Sequence, residues 1–270
     1  MTRSLGWLPI GLGLIIGTTI PGYLAISPSS VDAADLQTIK RRGRLVVAVK
    51  DNLPPLGFRD PAGRLQGFEI DLARQIAMEL LGNPDALELK PALNQDRLNA
   101  VLAGDVDVAI AHVTLTPSRL RIVNFSSPYY RDGAAIATPY ASLQSLADLA
   151  GKPIAVLDRS STVEALRRAL PSAILIPVQS YEDAKIAVET GRAIAVAADA
   201  SILVGWVRQL PTYRLLTPLL SRQELAIVLP KGRQHEELRQ EINQILTRLL
   251  TSGWLQQRAN YWGLPRNLSF

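Results

Sequence analysis

Residues 111–119 read AHVTLTPSR, and the guanidinium of Arg119 falls in what the pattern marks as the first turn of a helix. A cation there faces the positive end of the helix dipole, which is locally unfavourable and which a bound anion would relieve. Thr116 and Pro117 suit the cap and first position of that helix. On spacing alone, Arg119 fits either a solvated helix residue or an anion ligand. Asp199 closes another apolar run just before ASILVGWV, where it can cap a helix. His112 by itself reads as a satisfied structural histidine or as a site residue. His112 and His235 are the only histidines and there is no cysteine, so no metal constellation, thiolate nucleophile or disulfide is expected. Beyond residue 33 there is no G-x-S-x-G, phosphate-binding Walker loop or H-E-x-x-H.

The elements that must position these groups alternate between strand and helix. LVVAVK (45–50) is a short apolar strand, and GFEIDLARQIAMELLG (67–82) is an amphipathic helix with Gly82 as its C-terminal cap. DRLNAVLAGDVDVAIA (96–111) gives a helix, a capping Gly104 and a strand. The second half repeats this order. PIAVLD (153–158) is a strand, SSTVEALRRAL (160–170) a helix with Ser161 and Glu164 as a capping box, and YEDAKIAVETGRAIAVAADA (181–200) a helix, Gly191 and a strand. Strands alternating with helices predict parallel pairing in an α/β fold of two lobes. Ligands of open α/β sheets bind beyond the carboxyl ends of strands. That places the candidate site on four loops, at 50–53, 112–119, 158–162 and at Asp199. Returning connections are expected at 131–138 and 222–230, and the last segment, through the apolar helix at 242–250, should return to the first lobe.

The chain has 270 residues, 47% of them hydrophobic, enough for one or two buried cores. Arg3, the apolar run 5–20 and the small residues before Ala34 predict a signal peptide over 1–33, with retention as a membrane anchor the alternative. GLGLIIG (11–17) loosely mimics a dinucleotide fingerprint, but no strand precedes it and it lies in the leader. The net charge of +5 is scattered among acids rather than forming a stripe, which argues against nucleic acid as a partner.

The segments GRLVVAVKDNLPPLGFRDPAGRLQGFEIDLARQIAMELLG, DRLNAVLAGDVDVAIAHVTLTPSRLRIVNFSSPYY, SLADLAGKPIAVLDRSSTVEAL and AIAVAADASIL, in this order, resemble the bacterial family-3 extracellular solute-binding proteins. The resemblance implies a type II periplasmic-binding-protein fold, with mostly parallel sheets flanked by helices. Lobe 1 would comprise 34–134 and 224–270, lobe 2 135–223, joined by two hinge crossings. It also implies a monomeric periplasmic receptor that carries an amino acid to the permease of an ABC importer, without catalysis or cofactor.

Site roles follow from the same resemblance. Arg119 would grip the ligand α-carboxylate with its planar fork, which matches that geometry. Thr114 would add its hydroxyl and N–H, Ser161 and Thr162 backbone N–H groups, the His112 carbonyl a bond to the amine, and Asp199 a countercharge for the α-ammonium. Departures from the family's pattern bear on specificity. The walls read Lys50, Leu53, Leu56 and Asn94, where an aromatic cage would be usual, and Arg159 adds a second cation. That combination favours glutamate, aspartate or glutamine over arginine or lysine. Two other functions fit the resemblance: a dehydratase acting on prephenate- or arogenate-like substrates, with Glu69 or Asp71 as candidate acid, and the sensor module of an amino-acid receptor.

Overall fold

The computed structural model describes residues 35–264, which lie within one compact unit; the expected leader falls outside them. The chain begins with α1 (Leu36–Arg42) and β1 (Leu45–Val49), then a small antiparallel sheet of β2 (Asn52–Leu53), β3 (Gly57–Arg59) and β4 (Leu65–Gln66). Next come α2 (Phe68–Leu81), β5 (Leu87–Pro91), α3 (Arg97–Leu102), β6 (Val108–Ile110), the four-residue α4 (Pro117–Leu120) and the long β7 (Asn124–Asp132). The middle of the chain forms β8 (Ala134–Thr138), β9 (Pro153–Leu157), α5 (Ser161–Ala169), β10 (Ile174–Val178), α6 (Tyr181–Glu189), β11 (Ala195–Asp199), α7 (Ala200–Gln209) and β12 (Arg214–Leu216). It returns through β13 (Gln223–Leu229) to α8 (Glu236–Thr251) and α9 (Trp254–Tyr261).

Two five-stranded sheets result, ordered β5-β1-β6-β13-β7 and β10-β9-β11-β8-β12. In each, three parallel strands form the α/β part: β1 pairs in parallel with β5 and β6, and β9 with β10 and β11. The segments that pass between the lobes add antiparallel pairs, β13 with β6 and β7, and β8 with β11 and β12. Because β13 lies between β6 and β7, the C-terminal part of the chain is built into the first sheet, and α8 packs on β7 and α2.

Local chemistry accounts for these boundaries. On α2, Phe68, Ile70, Ala73, Ile76, Ala77 and Leu80 are buried, and Gly82 ends the helix with φ of 73°. At its start, Gly67 has φ of 129°, and a Cβ there would stand 2.2 Å from the Leu56 carbonyl oxygen. Only glycine lets the helix begin so close to the 53–56 turn, where the Phe68 and Glu69 N–H groups donate to Pro55 and Leu56. The crossing strands meet just as closely: a Cβ on Gly133 would lie 2.3 Å from the Ser221 carbonyl oxygen. Ala134 N–H donates to Ser221 Oγ, and Leu220 N–H to the Ala134 carbonyl. The predicted capping box at Ser161 is corrected. Ser160 is the cap residue and Ser161 already belongs to α5, its hydroxyl directed at Gln223 instead. Among the described residues, no helix is long and apolar enough to cross a membrane.

Candidate functional site

The carboxyl ends of β6 and β11 face each other, and the groups they carry meet. His112 follows β6 with φ of 55°, a left-handed conformation uncommon for a side-chain-bearing residue. Three groups hold it there. Glu69 Oε1 accepts from its N–H at 2.8 Å, and Arg97 Nη1 donates to both the Ala111 and His112 carbonyls at 2.6 Å. Tyr129 OH donates to the same Glu69 oxygen at 2.5 Å. The buried strain is thus supported by a buried Arg–Glu–Tyr set.

The imidazole crosses towards the second lobe. Nε2 lies 3.0 Å from Asp199 Oδ2 and 3.8 Å from Asp132 Oδ2, at ion-pair distance but off the line of a hydrogen bond. Burial alone would lower the His112 pKa; the Asp199 and Asp132 carboxylates outweigh it and raise it to about 9. Asp132, the last residue of β7, also accepts from the N–H groups of Gly133 and Ser201 and from the Ser201 hydroxyl. Asp199 stands at the cap position of α7, yet its side chain makes no capping bond. Among the described residues its Oδ1 is buried without a hydrogen-bond donor, as is Thr162 Oγ1.

Arg119 sits as expected on the first turn of α4, whose cap is Thr116 and whose first residue is Pro117. Its Nη1 donates to the Thr114 carbonyl at 2.7 Å, the one side-chain hydrogen bond it makes among the described residues. Burial lowers its pKa, while the Asp199 charge acts the other way. Thr114 Oγ1 lies 3.3 Å from Ser161 Oγ across the lobes, and both hydroxyls meet Gln223 Oε1, at 3.1 and 2.7 Å.

Beside this group lies a cavity of about 910 Å³, lined from both lobes. Lys50, Leu53 and Asn94 line it from the first, and Arg159 from the second. Leu56, expected as a wall, is instead fully buried in the core. Lys50 is 4% exposed and Nζ donates to the Ala92 carbonyl at 3.1 Å. Arg159 has its side chain 81% exposed and pairs with Asp158 at 3.7 Å, so it faces solvent more than ligand. The usual aromatic positions are vacant, as the sequence indicates, but Phe58, Tyr181, Trp206 and Trp262 line the cavity from elsewhere. Arg97, Asp132, Gln223 and these aromatics were not marked by sequence. Only Arg97 carried a signal, as a cation on the inner face of an amphipathic helix. Among the described residues, no three His, Asp or Glu side chains gather as metal ligands.

Known proteins resemble this chain in sequence and in fold. The chain is 30% identical over 202 residues to the glutamine-binding protein of Geobacillus stearothermophilus, covering 74% of this chain and 77% of that one. It is 28% identical over 260 residues to the L-cystine-binding protein TcyJ of Escherichia coli (strain K12), covering 94% and 92%. The crystal structure of the ancestral amino acid-binding protein AncCDT-1, a precursor of cyclohexadienyl dehydratase, matches with a TM-score of 0.75 at 26% identity, over 85% of this chain and 99% of that one. The fold is therefore the two-lobed type II periplasmic-binding-protein fold. The family profile of the bacterial extracellular solute-binding proteins, family 3, matches residues 45–265, and the chain belongs to that family.

Proposed function

We propose that this protein is the periplasmic receptor of an amino-acid ABC importer, a monomer that takes an acidic or polar amino acid such as glutamate, aspartate or glutamine. The observation that carries the reading is that Arg119 and Asp199, from different lobes, interact through charge without forming an ion pair, each with hydrogen-bonding capacity left over. Arg119 uses one donor on Thr114, and Asp199 Oδ1 is buried with no donor. A zwitterion satisfies both: its carboxylate takes the free part of the guanidinium fork, and its ammonium takes Asp199 Oδ1 while His112 keeps Oδ2. Thr114 and Ser161 approach each other across the lobes at 3.3 Å, and the buried Thr162 follows Ser161 at the start of α5. Such a ligand touches both lobes, so it stabilises the closed state and presents a composite surface to a permease. Lys50 supports the acidic or polar lean, and the relative named for glutamine is in line with it.

A dehydratase reading has less support. Glu69 holds the His112 backbone and Tyr129, and Asp71 accepts from Arg258 Nη2 and Trp262 Nε1, both at 2.7 Å. Neither carboxylate lines the cavity.

The test is a thermal-shift screen of the purified protein against the twenty amino acids, followed by calorimetry. Ligand at a hundred times its dissociation constant adds about 2.7 kcal/mol of stability. A shift with glutamate, aspartate or glutamine that disappears in Arg119→Ala supports the reading. Retained affinity in Arg119→Ala removes it, and turnover of prephenate or arogenate replaces it with the enzyme.

A further inference from the structure

The cavity has more room than a free amino acid occupies. Pockets of about 300–1,000 Å³ hold drug-sized molecules, and 910 Å³ lies near the top of that range. Thr114, Ser161 and Gln223 bridge the lobes by hydrogen bonds at the anchor end, while the chamber beside them stays wide. The two parts adjoin. Val49 pairs with Ile110, which brings Lys50 beside the strand end leading to His112. Tyr181 lines the chamber, and the Asp199 charge adds to burial in raising its pKa.

The lining has its own chemistry. Lys50 is a buried cation with a single carbonyl acceptor and no carboxylate within ion-pair distance among the described residues. Further out stand two indoles. Trp262 is fixed edge-on to Phe58 at 5.8 Å and by its Nε1 bond to Asp71, and Trp206 lies edge-on to Tyr213 at 6.0 Å. Arg208 also lines the chamber and lies against Gly263, with no acid at ion-pair distance among the described residues.

We propose that this chamber is a second subsite, for the far end of an amino acid elongated by an amide-linked unit that carries an apolar or planar group and a terminal carboxylate. The proposal rests on the reading that Arg119 and Asp199 hold the amino-acid head. Lys50 then meets the linking amide or an acidic group, Trp206 and Trp262 flank the planar group, and Arg208 meets the distal anion. Rings already held by their neighbours stack on a ligand at little entropic cost.

Calorimetry on the whole protein tests it with three probes: L-glutamine, γ-L-glutamylglycine and γ-L-glutamyl-L-phenylalanine. The phenylalanine conjugate should bind about tenfold tighter than glutamine, and Trp206→Ala should erase most of that advantage. Arg208→Gln changes an exposed side chain, so it tests the idea even if Trp206→Ala fails to fold. It should weaken both conjugates about threefold or more relative to glutamine. Glutamine binding tighter than both conjugates overturns the second subsite and leaves the amino-acid receptor standing. Tighter conjugates whose advantage survives both variants also overturn it. Binding of none of the three overturns this proposal together with the reading beneath it.

Discussion

His112 Nε2 and Asp199 Oδ2 stand 3.0 Å apart, and with them the strand ends of two separate sheets are joined by one ion pair. The pair places a charge-bearing ring where the ligand ammonium is expected to arrive, so the protonation of His112 and the closure of the lobes are linked. Asp132 at the crossing shares the imidazole, Glu69 holds its backbone N–H, and Arg97 takes its carbonyl. Stability should follow pH accordingly. The folded-state pKa near 9 lies above the ordinary value of 6.5, so protonation favours the folded protein. The contribution is complete below about pH 6.5 and is lost as pH rises through about 9, amounting to a few kcal/mol at most. Melting temperatures across that window should fall in the native protein and change less in His112→Gln. Equal slopes for the two would remove the link.

Asp132 offers a sharper test of the hinge. It is buried and accepts three hydrogen bonds from Gly133 and Ser201 where β7 hands over to β8. Asp132→Ala leaves those donors without partners and His112 with one carboxylate fewer. Urea denaturation should show a loss of about 2–4 kcal/mol. A loss below about 0.5 kcal/mol, typical of surface changes, would show that the crossing does not depend on it.

Gln223 should govern how far the lobes close without ligand. Its Oε1 receives Thr114 Oγ1 and Ser161 Oγ at once, and Nε2 donates to Ser221 Oγ at the crossing. Gln223→Ala removes the acceptor shared by both lobes. Small-angle scattering of the ligand-free variant should give a larger radius of gyration than the native protein. Each uncharged hydrogen bond is worth about 0.5–1.5 kcal/mol, so affinity should fall by about tenfold or less. An unchanged radius would mean that closure rests on the His112–Asp199 pair alone.

How much of this was legible in the sequence depended on the range of the interaction. Helix α2, its Gly82 cap and the Thr116-Pro117 start of α4 are set by residues a few positions apart, and they stand where the pattern puts them. The place of Arg119 on the first turn of α4 follows from the same local spacing, whereas a ligand role for it and for Thr114 rests on the family resemblance. Ser161 was misread because S-x-x-E fits a cap one residue away from the true one, and Gln223, 62 residues later, takes its hydroxyl. The pairing of His112 with Asp199 joins different sheets and leaves no periodic trace. The aromatic walls are displaced in a similar way. Positions near Leu53 and Asn94 lack rings, while Trp206 reaches the cavity from α7 of the second lobe and Trp262 from the C-terminal segment packed on the first.

Lys50 is the residue through which the acidic preference can be tested. It is a buried cation whose pKa is lowered first by burial and then by Arg97, with Ala92 as its one hydrogen-bond acceptor among the described residues. A buried charge without an acid costs stability, and a bound carboxylate would relieve it. Lys50→Met keeps the length of the stem and removes the charge. The variant should therefore unfold at a higher urea concentration than the native protein when both are ligand-free. Calorimetry should show glutamate weakened by about tenfold and glutamine by clearly less, since the lost term is charge on charge. Equal weakening of the two ligands would show that Lys50 shapes the cavity without selecting for charge, and the acidic preference would then have to be abandoned.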